Sequence, residues 1–477
     1  MTVQQTPAAA PKVRLGLNYW KLWWASLTSN LGDGAGMIAY LWVASAVTRN
    51  PVLIALIAVA QQLPWLIFTL PAGVITDRVD RRKILVSMDF LRAALMVVLG
   101  VGVLLSASSL PTVAEVTGGI DLPTNVGLYL VLMTTALLRG MAEVLRDNTA
   151  QTFLPAIVGK SHLEKANGNL WGAEMVANQF VGPPIGSILL GIGFAIPFFV
   201  TGAGFALAAL LILTIKGEFR PKRAPTEVSV EKRRGEFVGD IKRGFGWLWK
   251  HPLLRPMAII LGLMNALGMV TFSVFILFAQ EELDLGTGLF TGVLAPMVDF
   301  FGMSSVAAVT FALLMMGGAV GGVIGAVVAP RVSRAMGPGP ALALILVAQG
   351  LTALIIGLST KWWMVWLMFL VVTFTGAVWN VITVSLRQTI IPDDLLGRVN
   401  SVYRFFAWGM MPIGSLVGGG IASLTAVFAS RSLSLRMPFL VASAAGFVLL
   451  VYALPRLTSQ KIESARREAE ALTPETP

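Results

Sequence analysis

Cysteine is absent from the 477 residues, which removes disulfides, thiolate chemistry and cysteine-ligated metal sites together. Histidine is almost absent as well, since His162 and His251 are the only two, and both fall in polar connecting stretches. A membrane enzyme needs a nucleophile with a base, or a cluster of metal ligands, and these residues supply neither. No Gly-x-x-x-x-Gly-Lys-Ser/Thr run is present, so an ATP-driven pump lacks its phosphate cradle. The expectation is no catalytic residue, no metal and no cofactor. Charge is the last scarcity: 13% of residues are charged and 56% are hydrophobic. So few polar groups cannot shield a core of that size from water, whereas a bilayer makes no such demand.

Twelve apolar runs reach the roughly twenty residues needed to cross about 30 Å of hydrocarbon. They are 20–47, 52–76, 84–107, 126–147, 167–190, 194–214, 256–281, 305–329, 339–360, 362–387, 400–428 and 436–455. An even number of crossings puts both termini on one side. Of the 36 Lys and Arg, 30 fall on the terminal side and four (Arg49, Lys361, Arg431, Arg436) on the other, with Arg92 and Arg139 inside spans. Both termini are therefore expected in the cytoplasm. The net charge of +11 is then topological, and no nucleic-acid partner is expected. The polar start has no small-residue cleavage pattern and reads as a tail, not a signal peptide.

The resulting division is a cytoplasmic tail (1–19), a six-helix bundle (20–214), a cytoplasmic linker (215–255), a second six-helix bundle (256–455) and a tail (456–477). From Lys216 to Arg255 the chain carries eleven basic and five acidic residues. Within it, Phe237, Ile241, Phe245, Leu248 and Trp249 among Lys242, Arg243 and Lys250 have helical spacing with a basic face. That pattern suits an interfacial helix on anionic lipid or a solvated linker helix. The halves echo each other. Pro184-Ile185-Gly186-Ser187 matches Pro412-Ile413-Gly414-Ser415, Asn30 answers Asn265, and Gly73-Val74-Ile75 answers Gly322-Val323-Ile324. Arg146 to Pro155 loosely answers Arg387 to Pro392. The fold expected is an all-α membrane protein of twelve transmembrane helices in two six-helix bundles related by an internal repeat, an arrangement that places a transporter's substrate site at the repeat interface.

Gly73-Val-Ile-Thr-Asp77-Arg78-Val-Asp80-Arg81-Arg82-Lys83 resembles the major facilitator signature between helices two and three. Asp80 stands where that signature usually has glycine, a departure that resembles the drug-exporter branch containing macrolide-efflux and enterobactin-export proteins. Gly140, Glu143, Asp147, Leu154-Pro155, Leu163 and Ala166-Asn167 are similar to that branch, as are Pro392 and Gly397-Arg398-Val399-Asn400-Ser401. Gly182-Pro183-Pro184-Ile185-Gly186 is similar to the glycine-proline motif of facilitator-family antiporters in helix five. Proline removes a backbone donor and glycine permits close helix contact, so a purely structural device remains the alternative. The resemblance implies secondary active transport by alternating access, with proton-coupled export of hydrophobic or amphipathic molecules, drug-like or siderophore-like. Uptake, or lipid or uniport movement, is the alternative, and a non-transporting receptor or scaffold a remoter one. The expected partners are a small-molecule substrate, protons and membrane lipids, with the chain a monomer in a bacterial inner membrane.

Ionisable residues inside a span are costly and mark function by default. Asp33, Asp89, Arg92, Arg139, Glu143 and Glu174 lie in the first six spans, and no acid is read within spans seven to twelve. Asp33 shares a helical face with Ser26, Asn30 and Met37 and is the first candidate for proton coupling; the alternative is a carboxylate held by neighbouring helix-end or Asn groups. Glu174 is a second candidate. Glu143 lies on one helix face with Arg139 and Arg146, as a standing ion pair or as an acid released by substrate or proton. Asp77, Arg78, Arg81 and Arg82, with Gly73, form an expected conformational gate that the start of span eleven near Asn400 engages. Asp89 and Arg92 extend that network or form a fixed salt bridge. Asn30, Met37, Asn178, Asn265, Trp379, Asn380 and Trp408 are the cavity candidates, whereas Trp20, Trp23, Trp24, Trp362, Trp363 and Trp366 lie where interfacial anchors belong. The outer loop from Leu283 to Ser304, with Phe290, Leu294, Phe300 and Phe301, either touches lipid or substrate or packs over the bundle.

Overall fold

A computed structural model describes residues 15–76, 78–117, 122–158, 162–217, 219, 239, 242–286, 292, 296 and 306–472, and among these all regular structure is helical. The helices are α1 (Leu17–Val47), α2 (Pro51–Ile67), α3 (Thr69–Thr76), α4 (Arg81–Leu105), α5 (Val113–Val116), α6 (Val126–Ile157), α7 (Leu163–Met175), α8 (Gly182–Ile192) and α9 (Ile196–Leu213). A short helix α10 (242–250) follows. The later helices are α11 (Leu254–Phe272), α12 (Phe275–Glu282), α13 (Val306–Met336), α14 (Pro338–Leu358), α15 (Trp362–Ile390), α16 (Asp393–Phe428), α17 (Arg431–Ala453) and α18 (Ser459–Leu472).

Ten helical segments among the described residues are long and apolar enough to cross a membrane. The first expected span is a helix of 31 residues but is not one of the ten, because Ser26, Thr28, Ser29, Asn30 and Asp33 dilute its apolar run. The second is divided. Pro64 sits inside α2, which stops after 17 residues at Phe68, and α3 continues beyond the break. The fifth is also composite: α7 passes through a π-helical turn, Val176–Val181, into α8. Pro183 and Pro184 at the start of α8 have no N–H to give the preceding turn, and the ladder widens there.

Within the first half α1 packs on α8 and α9, and α4 on α6 and α9; within the second, α13 packs on α15, α11 on α16 and α14 on α17. The halves meet where α2 lies on α16 and α8 on α13. Trp42 of α1 meets Phe311 of α13 edge to face, ring centres 6.0 Å apart, so the buried core runs across this seam. Both Pro-Ile-Gly-Ser copies make one kind of contact. A Cβ on Gly186 would stand 2.9 Å from Ala35 Cα, and one on Gly414 would stand 2.8 Å from Ala266 Cα.

Of the linker's amphipathic set, Phe237 and Ile241 lie outside the described residues. Leu248 is buried with the second half, and Phe245 and Trp249 stack on each other and on Phe406. The gate residue Asp77 and the outer-loop residues Phe290, Leu294, Phe300 and Phe301 also lie outside the described residues. The final tail contains a helix that the sequence reading left unassigned. α18 docks on α14 and α15 through Ile462 and Ala465, one turn apart and both buried.

One of the close helix crossings sets a test. A Cβ on Gly182 would come 2.7 Å from Gly34 Cα, whereas nothing lies within 4 Å of one on Gly172. Gly182→Val should lower stability by about 1–3 kcal/mol through overpacking, read as a lower midpoint of thermal unfolding in detergent, while Gly172→Ala should leave it unchanged or higher.

Candidate functional site: a membrane-embedded charge ladder

The tight α1–α8 crossing brings two amides together, and Asn178 Nδ2 donates to Asn30 Oδ1 at 2.8 Å. One turn along α1, Asp33 receives Arg92 of α4 on both oxygens, at 2.5 and 2.6 Å, and Arg139 of α6 at 3.0 Å. Arg92 is 1% exposed and sits 3.9 Å above the Phe205 ring. Its other nitrogen, Nη1, donates to Ser29 Oγ at 3.0 Å and to Asp89 Oδ1 at 3.3 Å. Asp89 Oδ1 also accepts from Arg146 Nε at 2.7 Å.

The chain of pairs extends at both ends. Arg139 Nη1 lies 3.1 Å from Glu143 Oε2, and Arg146 Nη1 lies 3.4 Å from Asp147 Oδ1. The order is Glu143, Arg139, Asp33, Arg92, Asp89, Arg146, Asp147, alternating in sign across α1, α4 and α6. Four carboxyl groups face three guanidiniums, so the ladder has one acid more than it has bases. Its centre is buried, with Asp89 at 0% side-chain exposure, and its ends open outward, with Glu143 at 26% and Asp147 at 38%. Such pairing is what permits these groups in a low-dielectric interior.

Asp33, Glu143 and Arg139 are thus joined in one network, and Asp89 and Arg92, expected with the gate, belong to the same network. Glu174 is exposed on α7 and outside the described ion pairs. Arg146 and Asp147, absent from the candidate set, complete the ladder; their signal was the i, i+3 and i, i+4 spacing from Glu143, which the sequence reading used only for Arg146. The remaining gate residues act inside the first half. Asp80 caps α4 by accepting from Arg82 N and Lys83 N. Arg81 donates to Thr152 O at 3.2 Å and Arg82 to Ile215 O at 2.7 Å, which ties the start of α4 to α6 and to the end of α9. Arg78 is exposed, and Gly73 lies in α3.

The cavity candidates separate by half. Asn265, Trp379, Asn380 and Trp408 line one cavity of about 1120 Å³ built by α11 to α17, which Asn30, Met37 and Asn178 do not reach. Asn265 Nδ2 donates to Ala407 O at 2.9 Å, joining α11 to α16 as Asn30 joins α1 to the turn before α8. Trp408 is 51% exposed and stacks on Trp65 across the seam at 5.8 Å.

A second polar cluster was missed. Glu281 is the last residue of the expected seventh span, so reading no acid there was a boundary error. Arg49 Nη2 meets Glu281 Oε1 at 2.5 Å and its Nη1 meets Gln280 Oε1 at 2.8 Å. Arg431 Nε meets Glu281 Oε2 at 2.9 Å, and Arg431 Nη2 reaches Arg49 O at 3.0 Å. Arg436 Nη2 meets Glu282 Oε2 at 2.5 Å, and Lys361 Nζ meets Asp284 Oδ2 at 3.0 Å. All four bases assigned to the side opposite the termini therefore pair with the run Glu281-Glu282-Leu283-Asp284. Burial pulls the Arg49 pKa below its ordinary value, and the Glu281 carboxylate opposes that shift. Arg49 and Gln280, the latter also bonded to Ser45 at 2.9 Å, make this cluster a latch between the halves.

A sequence model described as Major Facilitator Superfamily matches residues 22–415. "Multidrug efflux pump Tap" of Mycolicibacterium fortuitum is 24% identical, over 92% of this chain and 96% of its own. The protein of the same description from Mycobacterium tuberculosis (strain ATCC 25618 / H37Rv) is 26% identical, over 88% of this chain and 91% of its own. Among solved structures, the nucleoside transporter NupG superposes with a TM-score of 0.62 at 12% identity, over 92% of this chain and 99% of that one. A bacterial homologue of the human lysosomal transporter Spinster superposes with a TM-score of 0.64 at 13% identity, over 96% of this chain and 99% of that one. At such identities the solved structures establish the fold.

Removing Asp89 takes one acid from Arg92 and one from Arg146, each of which keeps another. Asp89→Asn should destabilise the protein by about 1–3 kcal/mol, seen as a fall in the thermal midpoint. Glu174→Gln, exposed and outside the ladder, should change stability by no more than about 0.5 kcal/mol.

Proposed function

The chain belongs to the Major Facilitator Superfamily, a multi-pass membrane transporter, and from that membership we propose that it exports hydrophobic or amphipathic small molecules in exchange for protons. The observation that carries this reading is the ladder. Its excess carboxylate is a place where one proton brings a membrane-embedded set to charge balance. Asp33 is the pivotal group, because both its oxygens are occupied by Arg92 and Arg139. A proton on Asp33 weakens the ion pairs that hold α1 to α4 and α6, so proton binding and helix movement become a single event. Glu143 and Asp147, at the open ends, and Glu174, on α7 beside α1, pass protons to and from it. The relatives described as multidrug efflux pumps support export and a broad substrate range.

In this reading twelve crossings form two repeated bundles, with α1 and the α2–α3 pair joining the ten long apolar segments. Both termini, the linker and the Arg78–Arg82 cluster are cytoplasmic, and the chain works as a monomer in the bacterial inner membrane. The Glu281 latch then lies on the outer side, and its closure corresponds to a state open to the cytoplasm. Opening outward breaks the Arg49–Glu281 pair while the Asp77 region engages the start of α16. The Gly182-Pro183-Pro184 segment, with its π turn, supplies the close and deformable contact between α1 and α8.

Two experiments test the scheme. In proteoliposomes carrying an internal pH dye, lipophilic drugs should evoke proton movement that Asp33→Asn abolishes. Drug movement down its own gradient without proton flux in the parent would instead identify a uniport carrier. The native lack of cysteine permits single-cysteine labelling on the latch side, where Thr48 is fully buried. Thr48→Cys should react slowly with an impermeant maleimide from outside in otherwise unchanged protein and several-fold faster when combined with Glu281→Gln.

A further inference from the structure

Among the described residues, the second-half cavity is charged with one sign only: Arg387 and Arg404 contribute to its wall, and no Asp, Glu, Lys or His does. On α15, Asn380, Val384 and Gln388 follow at helical spacing beside Arg387, and on α16 Asn400, Arg404 and Trp408 share a face. Polar donors are thereby gathered where these two helices approach.

Arg387 is held ready for a partner it does not have among the described residues. Its guanidinium lies 4.3 Å from the centre of the Tyr403 ring, and the Tyr403 hydroxyl is anchored on Leu254 O at 3.2 Å. Its Nε reaches Thr383 O at 3.4 Å. Neither Arg387 nor Arg404 joins any of the described ion pairs. The contrast with Arg92, Arg139 and Arg146, each paired with carboxylate, is direct. Further along the cavity Met264, Met315, Leu346, Ile356 and Phe369 supply an apolar and aromatic lining, able to follow ligands of different outline because methionine repacks easily.

We propose that this cavity binds an amphipathic organic anion, with a carboxylate, sulfonate or phosphate head on Arg387 and Arg404 and an apolar or aromatic body towards Met315 and Phe369. The inference rests on the exporter reading and narrows its substrate class. Guanidinium groups offer paired N–H donors that suit planar oxyanions. A cationic drug of the same size would face two like charges and no acid among the described residues of this wall.

The test is equilibrium binding to the full-length protein in nanodiscs of zwitterionic lipid. Three ligands share one naphthyl-alkyl body and differ in head: carboxylate, carboxamide or trimethylammonium. The carboxylate should bind at least about tenfold tighter than the other two, and Arg387→Gln and Arg404→Gln should each weaken it about tenfold, the scale of a lost charge-assisted hydrogen bond. Carboxamide binding should be unchanged, which also certifies that the variants are folded. Should Arg387→Gln disturb the Tyr403 contact and fail to fold, exposed Arg404 carries the test alone. Equal affinity for all three heads, tighter trimethylammonium binding, or an equal loss for every head in the arginine variants would overturn the proposal. Competition by a long-chain lysophosphatidic acid alone would place the anion among lipids, and competition by short aryl carboxylates as well would place it among soluble compounds. Because binding is read without flux, absent proton coupling would sink the exporter reading and leave this one standing.

Discussion

Three guanidiniums lie inside the first half of the protein, and the arrangement of α1, α4 and α6 follows from the need to match them. A guanidinium without a partner costs several kcal/mol in a low-dielectric interior, and Arg92 is nearly inaccessible to solvent. Each base is therefore shared by two acids, and the two inner acids, Asp33 and Asp89, are each shared by two bases. Sharing lets one group lose a partner while retaining another. Isolated pairs would make any helix displacement prohibitive, whereas a ladder offers displacement by one rung.

The backbone around α1 is built to present this ladder at close range. Gly34 and Gly182 allow α1 and α8 to touch, and the π turn ahead of the two prolines directs Asn178 onto Asn30. On the opposite flank Thr201 Oγ1 donates to Gly32 O at 3.2 Å, and Phe205 covers Arg92. Asp33 is thus fixed between a helix held by glycine contact and one held by a hydroxyl.

Much of this was legible in the sequence, because hydrophobic length and the Lys and Arg bias act over whole segments. The ten long apolar helices and the charges Asp33, Asp89, Arg92, Arg139 and Glu143 within the helical bundle follow from such signals. The break at Phe68 and the docking of α18 do not, since both depend on how a helix end meets its neighbours. Pairing was legible only along one helix. The i, i+3 step from Asp89 to Arg92 and the i, i+4 step from Arg139 to Glu143 are visible in the chain, whereas Asp33 meeting Arg92 depends on the rotation of α1 against α4. Dividing these residues into a coupling set and a gate set separated groups that share oxygen atoms. The latch was hidden for a simpler reason, since Gln280 to Asp284 falls where an apolar run ends and a boundary shift of one residue decides whether an acid is noticed.

The two halves share packing contacts and differ in how the charges within them are matched. In each half an asparagine near the middle of the first helix bonds to a later helix, Asn30 to Asn178 and Asn265 to Ala407 O, and a Pro-Ile-Gly-Ser glycine presses on that first helix. The packing is alike, so the charges are not demanded by it. The ladder has one acid more than it has bases, and Arg387 and Arg404, which join no ion pair among the described residues, line the cavity of the other half. In the proposed cycle a proton would neutralise one acid of the first, and the proposed anion would meet the two bases of the second. The only ion-paired connection between halves among the described residues is the Arg49, Glu281 and Arg431 cluster, far along α1 from Asp33. At 1.5 Å rise per residue, the fourteen residues from Asp33 to the end of α1 at Val47 span about 21 Å. A ladder shift that tilts α1 about its glycine contacts is therefore magnified at that end. In the proposed exchange cycle, the rigid length of α1 is the route by which a proton at Asp33 would act on the latch.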